Sequence, residues 1–278
     1  MSYLSVSTWS LHRLLGPLRW TAWDSEAGAH RTNIQDQPQE LTLLELPAEA
    51  ARRGYGAVEI CHFHFPSTNG DYLIELRDAF SDVGISFDTL LLDYGDLTTE
   101  DEARLSADMR LFREWIDVAA RCGARKIRIV AGEASPDDEA AIGRSAVALS
   151  KLFAYAEPLG VKVVTENFKP LTSKGTNCLK LLEAARAGRW PLRMITDFGN
   201  FSGPSKYEEL AMTLPYSLSV HAKAIFDGNG MPDEAEFRLC LDAVRDSGYE
   251  GSYVLVYDGP GNMWEGLERV RRIVEDYL

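Results

Sequence analysis

Three metal-competent side chains stand at the ends of three apolar runs. Glu166 closes "VVTE", Asp197 closes "RMITD", and His221 follows Leu218 and Val220 in "SLSVHAK". A carboxylate beside buried apolar surface is costly unless something pairs with it. A divalent cation supplies that pairing, and two carboxylates with one imidazole suit Mn²⁺, Mg²⁺, Co²⁺ or Zn²⁺. The competing reading is local: Asp197 before "FGN" makes a turn, Glu166 pairs with Lys223, and acids at strand ends cap the helices that follow. Two more carboxylates offer similar chemistry, Asp258 in "VYDGPG" and Glu133 at the end of "RIVAGE". Their bland alternatives are a turn residue before Gly259-Pro260 and an acid facing a helix N-terminus. His62 and His64 in "CHFHFP" are spaced to share a strand face. Binding a substrate hydroxyl or shuttling a proton suits them better than ligating a metal, and a structural histidine is the plain alternative.

These residues need elements that hold them at one level. A short phrase recurs along the chain: a helix-like end, a glycine, then a strand-like run. It is read in "RRGYGAVEIC", "SDVGISFDTLLL", "ARCGARKIRIV", "EPLGVKVVTE" and "DSGYEGSYVLV". Glycine suits the left-handed residue that closes a helix, having no Cβ to clash there. The runs that follow are rich in Val, Ile and Leu without clean alternation, which predicts strands buried on both faces of a helix-covered parallel sheet. Eight strands are expected at 4–9, 57–62, 85–92, 125–131, 161–166, 192–197, 216–222 and 252–257. Between them lie helical patterns, such as Leu105, Met109, Phe112, Ile116 and Ala119 at spacings of three to four. Eight strand–helix units predict an α/β fold, a (β/α)8 TIM barrel with a parallel eight-stranded barrel and outer helices. A doubly wound open sheet is the alternative, but no GxGxxG follows the first run. No Pro/Gly/Ser-rich linker divides the chain, so residues 1–278 read as one barrel domain. A long polar and aromatic stretch at about 12–39 reads as a loop on the active-site side, a substrate lid.

Whole-chain properties narrow the partners. The chain has 278 residues, 45% hydrophobic and 26% charged, with a formal net charge of −13. That charge and the lack of a Lys/Arg block argue against a nucleic-acid partner. Cys61, Cys122, Cys178 and Cys240 are far apart with no CxxC, which fits reduced thiols in a cytoplasmic protein. No run approaches the roughly 20 apolar residues of a membrane span. No glycine-rich phosphate cradle is present, which favours an unphosphorylated substrate.

Taken in order at the ends of runs five to seven, "TENF", "TDFGN" and "HAK" resemble the xylose-isomerase-like barrel superfamily. "AVEICHFHFP" at the second run fits the same strand order. That superfamily groups sugar isomerases and epimerases with endonuclease-IV-like enzymes. The resemblance implies a divalent metal held by Glu166, Asp197 and His221, with substrate contacts near Asn200, Lys223 and the second-strand tip. The endonuclease branch implies multi-zinc clusters rich in histidine, whereas this chain has five His in all. The sugar-type branch implies a fourth ligand on the eighth strand, a glutamate that doubles as the second acid/base. The alignment of "GSYVLVYDGPG" puts Val256 there.

The sequence therefore points to a metal-dependent isomerase or epimerase of a sugar, or of a sugar-like polyol or keto acid, acting by proton abstraction beside a carbonyl. Glu166 would hold the metal and act as base, with Lys223 or His64 stabilising charge on oxygen and Asp258 compensating for Val256. Trp9, with Trp20, Trp23 and Trp264, would offer an apolar wall, although core packing is the commoner use of Trp. His62, His64, Asn200, Trp9 and Glu133 are the expected substrate contacts. Alternatives on the same scaffold are a metal-dependent lyase or dehydratase, including deglycosidase-type elimination, and a non-catalytic sugar-binding barrel. An assembly of identical copies is compatible with each reading.

Overall fold

The structure, a computed structural model, describes residues 2–185 and 191–278. Ten strands form. They are β1 (Tyr3–Ser7), β2 (Leu18–Asp24), β3 (Ala29–Gln35), β4 (Ala57–Cys61), β5 (Ser86–Leu92), β6 (Lys126–Ile129), β7 (Lys162–Glu166), β8 (Arg193–Asp197), β9 (Ser217–Lys223) and β10 (Ser252–Val256). Eight of them, all but β2 and β3, pair in parallel and close into a barrel in the order β1-β10-β9-β8-β7-β6-β5-β4. Closure is direct, since β1 pairs with β10 on one side and with β4 on the other. The helices are α1 (Leu46–Arg52), α2 (Gly70–Val83), α3 (Glu102–Arg121), α4 (Glu139–Ala156), α5 (Gly175–Ala184), α6 (Lys206–Thr213), α7 (Glu234–Asp246) and α8 (Met263–Val274). This is the expected α/β barrel, with each expected strand found within a few residues of its anticipated ends.

The repeated phrase has its physical basis in the backbone. Gly54, Gly84, Gly123, Gly160 and Gly248 all have positive φ, between 68° and 80°. At Gly84, φ 71° and ψ 21° end α2 in the left-handed region and turn the chain into β5. At the other helix ends, Asn69, Asp101, Asp138, Asp233 and Asn262 each accept a backbone N–H of the first turn.

The barrel strands are buried on both faces, as expected, but they alternate more strictly than their sequences suggest. In β4, Val58 and Ile60 join the large apolar cluster shared with the helices, while Glu59 between them is fully buried and polar. In β6, Ile127 and Ile129 belong to that cluster, whereas Lys126 and Arg128 are buried charges. In β9, Val220 and Ala222 alternate with Ser219 and His221. The barrel interior thus carries buried charge beside a small apolar cluster that includes Cys61, Leu91, Val164 and Ile195, and the larger apolar core lies between barrel and helices. Lys126 Nζ meets Asp88 Oδ2 at 2.7 Å inside it.

The stretch 12–39 differs from the loop expected there: β2 and β3 form an antiparallel hairpin, with Trp20 opposite Asn33 and Trp23 opposite His30. Its tip is a turn in which Asp24 Oδ1 accepts the backbone N–H groups of Glu26 and Ala27 at 3.0 Å each. The hairpin is tied to the outer helix layer through Asp108 of α3, a fully buried carboxylate. His30 Nε2 lies 2.7 Å from Asp108 Oδ1, Tyr94 donates its hydroxyl to the same oxygen at 2.7 Å, and the Asp96 N–H donates to Oδ2 at 3.0 Å. A hydrogen bond to a charged group is worth about 1.5–3 kcal/mol. In His30→Ala, amide exchange in residues 18–35 should therefore accelerate roughly tenfold or more, with protection of β9 and β10 unchanged. Hydrogen–deuterium exchange read by mass spectrometry checks this, and equal rates in both proteins would show that the hairpin is held elsewhere.

Candidate metal centre

The parallel ladder brings the three leading residues together. Asp197 and His221 are register partners on β8 and β9, and Glu166 pairs with Ile195 on the adjoining edge. One ligand atom from each of Glu166, Asp197 and His221 lies within 4.8 Å of the other two, and all three residues are buried. His221 Nδ1 is 3.3 Å from Asp197 Oδ2 and 3.7 Å from Glu166 Oε1. The local alternative, a Glu166–Lys223 pair, is replaced by a Lys223–Asp258 pair at 2.7 Å.

Each side chain is held by neighbours the motifs supply. Asn167 donates its amide to the carbonyl of Asp197 at 2.9 Å and accepts the Asp197 N–H at 2.8 Å, so "TEN" fastens the end of β8. Gly199 donates its N–H to Asp197 Oδ1 at 2.6 Å. A Cβ at Gly199 would lie 2.9 Å from Lys223 Cδ, so glycine lets the lysine stem pass over this turn. Asn200 donates to Glu166 Oε1 at 3.0 Å.

Sequence reasoning missed three residues here. Glu59, fully buried on β4, places Oε2 2.8 Å from His221 Nε2, and its Oε1 accepts from Thr89 at 2.6 Å. Arg128 of β6 sets Nε 3.0 Å from Glu166 Oε2, in ion-pair contact without hydrogen-bond alignment. Asp93 holds the other end of that guanidinium. The available signal was alternation: Glu59 and Arg128 are each flanked by outward-packed apolar residues, so they must point inward.

Electrostatics follow from burial and this crowd of acids. Burial acts to strip the His221 proton, but Glu166 and Glu59 outweigh it and raise the imidazole to about 10. Burial lifts the Glu166 carboxyl to about 6, against the opposing pull of Arg128 and His221. Burial also works against Asp197, yet His221 and Lys223 hold its carboxyl below the usual range. The cluster thus demands a positive charge. The donor set fits a divalent cation: two carboxylates, an imidazole whose Nδ1 faces them, and a buried Glu166 Oε2 without a hydrogen-bond partner.

The cluster lies on the wall of a cavity of about 330 Å³, which Trp9, Trp20, Phe168, Asn200, Lys223, Val256 and Asp258 also line. A larger depression of about 530 Å³, beside Arg13, Glu49 and Trp264, lies apart from this chemistry. The wall includes Trp9, Asn200, Lys223 and Asp258 among the expected site residues. Three others are elsewhere. Glu133 is not on the wall; it pairs with Arg104 at 3.3 Å and with Lys169 at 3.6 Å. His62 and His64 occupy a 3-10 turn after β4 rather than one strand face, behind the aromatic wall. His62 Nδ1 accepts the Asp93 N–H at 3.3 Å, leaving Nε2 beside Thr21 Oγ1 at 3.4 Å. His64 is buried with neither ring nitrogen partnered. Asp258, committed to Lys223, stands outside the three-residue cluster.

A sequence profile described as "Xylose isomerase-like TIM barrel" matches residues 47–273. The chain belongs to this family. Among curated proteins no sequence matches. Solved structures similar to it include an L-ribulose 3-epimerase, at 17% identity and TM-score 0.67 over 99% of this chain and 97% of the other. The IOLI protein with a binding zinc atom gives 16% and 0.71 over 99% of both chains. The probable 3-DHS dehydratase AsbF of Bacillus anthracis gives 15% and 0.70, also over 99% of both. At such identities the likeness is one of fold. Among the described residues, no helix is long and apolar enough to cross a membrane.

The two histidines behind the wall make stability depend on pH. Burial lowers His62 to about 4 and His64 to about 3, against about 6.5 in an unfolded chain. A lowered histidine contributes stability above the unfolded value and loses it as pH falls toward the folded one. Between pH 6.5 and 5 each should cost about 2 kcal/mol. Urea midpoints measured across this range should fall more steeply for the native protein than for the His62→Gln/His64→Gln variant; parallel curves would show that neither ring is held neutral.

Proposed function

We propose that this protein is a metal-dependent isomerase or epimerase of a sugar, or of a sugar-like polyol or keto acid, acting by proton abstraction beside a carbonyl. The observation that carries the reading is the convergence of Glu166, Asp197 and His221 at the C-terminal mouth of the barrel. In a (β/α)8 barrel this rim is where active sites are built. The sugar epimerases among its structural neighbours support the same reading.

In this reading Glu166, Asp197 and His221 hold a divalent cation, with Glu59 fixing the imidazole from behind. A bound cation would polarise the substrate carbonyl and the hydroxyl next to it. Glu166 takes the proton from the carbon between them, its carboxylate oriented by Asn200 and Arg128. Lys223, steadied by Asp258, offers its ammonium to the oxygen on which charge develops. Trp9, Trp20 and Phe168 give the sugar an apolar face and keep water out. The hairpin β2–β3, which contributes Trp20, serves as the substrate cover.

Val256 favours a second reading. Epimerisation works best with an acid/base group on each face of the reacting carbon. β10 puts valine on the pocket wall, and the next inward carboxylate, Asp258, is committed to Lys223. Elimination needs one well-placed base, so a lyase or dehydratase on the same residues is the alternative.

Metal titration followed by elemental analysis tests the centre. One divalent ion per chain is expected in the native protein. Glu166→Gln should bind it at least tenfold more weakly, and equal stoichiometric loading in both would remove Glu166 from the site. Val256→Glu should tighten binding, because it adds an anionic oxygen beside the cation, while Asp258→Asn should leave it unchanged. Product analysis then separates the readings. A rearranged ketose supports isomerisation, an unsaturated product supports elimination, and absence of both metal and turnover would reduce the protein to a binding module.

A further inference from the structure

Lys169 follows three residues after Glu166 and lines the same cavity. Its backbone has φ 74° and ψ 163°. Among the described residues it is the sole non-glycine with positive φ. This corner of conformational space is essentially reserved for glycine, and side chains held there cluster at functional sites. A glycine would be strain-free at this position, so the lysine side chain must contribute something that glycine lacks.

Its surroundings indicate what that is. Besides His221, which the neighbouring acids hold protonated, the cavity wall carries the cations Arg128, Lys169 and Lys223. Arg128 is closed off by Asp93 and Glu166, and Lys223 meets Asp258 at 2.7 Å. Lys169 is the least neutralised: its ion-pair partner, Glu133, is 3.6 Å away, 43% exposed, and shared with Arg104. The Lys169 ammonium lies 5.4 Å from the centre of the Phe168 ring, which Arg128 also approaches at 5.0 Å. Its side chain is 30% exposed, so the charge stands at the cavity rim and within reach of a ligand.

We propose that Lys169 binds an acidic group, carboxylate or phosphate, at the end of the substrate remote from the metal-competent cluster. The site then takes an acidic sugar derivative in preference to a neutral one. This rests on the reading of the site as one for sugar-like molecules, and it adds the substrate's charge. The strained backbone fixes the direction in which the lysine leaves the strand end. A neutral side chain of similar length should therefore abolish the preference, and glycine should abolish it while relieving the strain.

Calorimetric titration with D-fructose, 5-keto-D-gluconate and D-fructose 6-phosphate, in the presence of Mn²⁺, tests the proposal on the native protein, Lys169→Met and Lys169→Gly. At least one acid should bind the native protein tenfold or more tightly than D-fructose. Comparing the two acids identifies carboxylate or phosphate as the preferred group. The preference should fall below threefold in both variants, and Lys169→Gly should melt at a higher temperature than the native protein, which separates lost recognition from lost folding. A native protein that binds D-fructose as tightly as both acids overturns the proposal, and so does a preference that survives in Lys169→Met. Product analysis keeps the two ideas apart. Turnover of D-fructose with no acid preference removes only the role of Lys169. Acid binding that depends on Lys169 but yields no rearranged sugar removes only the isomerase reading.

Discussion

One hydrogen bond inside the barrel organises the site, the 2.8 Å contact between His221 Nε2 and Glu59 Oε2. β4 and β9 are not neighbours in the barrel, so this contact bridges its interior rather than running along the sheet. It settles which ring nitrogen faces the mouth. With Nε2 committed to Glu59, Nδ1 is turned toward Asp197 and Glu166. A buried carboxylate behind a histidine is the usual way to fix ring orientation and strengthen the nitrogen that points at a cation. Thr89 and Ser219 complete the shell around the Glu59 carboxylate.

The rest of the interior follows from the same need to balance buried charge. Apolar side chains would fill the barrel at lower cost, but they would leave Glu59 and Glu166 without partners. Lys126 against Asp88, and Arg128 against Asp93 and Glu166, place positive charge at two levels of the barrel. The barrel thus carries its metal-competent cluster on a charged scaffold, with a small apolar cluster inside and the larger apolar core in the space between strands and helices.

Much of this was legible in the sequence, for identifiable reasons. The glycines that close helices mark strand starts because only they enter the left-handed region freely, so "CGARKIRIV" and "LGVKVVTE" give their boundaries plainly. Glu166, Asp197 and His221 could be picked out because each ends an apolar run, where a polar side chain needs a reason. Glu59 and Arg128 were hidden because they sit inside their runs, where a charge reads as a flank or an interruption. Recognising them requires knowing that the inner face of this barrel carries charge, a property of closure that no single strand declares. Glu133 was misplaced for the opposite reason: the chain leaves β6 after Ile129, and the loop turns the carboxylate toward Arg104. The hairpin was missed as structure although "LRWTAWD" alternates, because β3 is nearly all exposed and lacks an apolar face.

That hairpin has a consequence for how such a protein diversifies. It is inserted between β1 and α1, pairs only with itself, and takes no place in the ladder that closes the barrel. Trp20 on one strand faces the cavity, while His30 on the other fastens the unit to α3. Replacing or lengthening its outer part, beyond the Leu18 that joins Cys61, Leu91, Val164 and Ile195 in a buried cluster, would leave the barrel ladder and all three metal-competent side chains where they are. The range of molecules admitted can therefore drift independently of the chemistry performed on them, with the two inherited as separate parts of one chain.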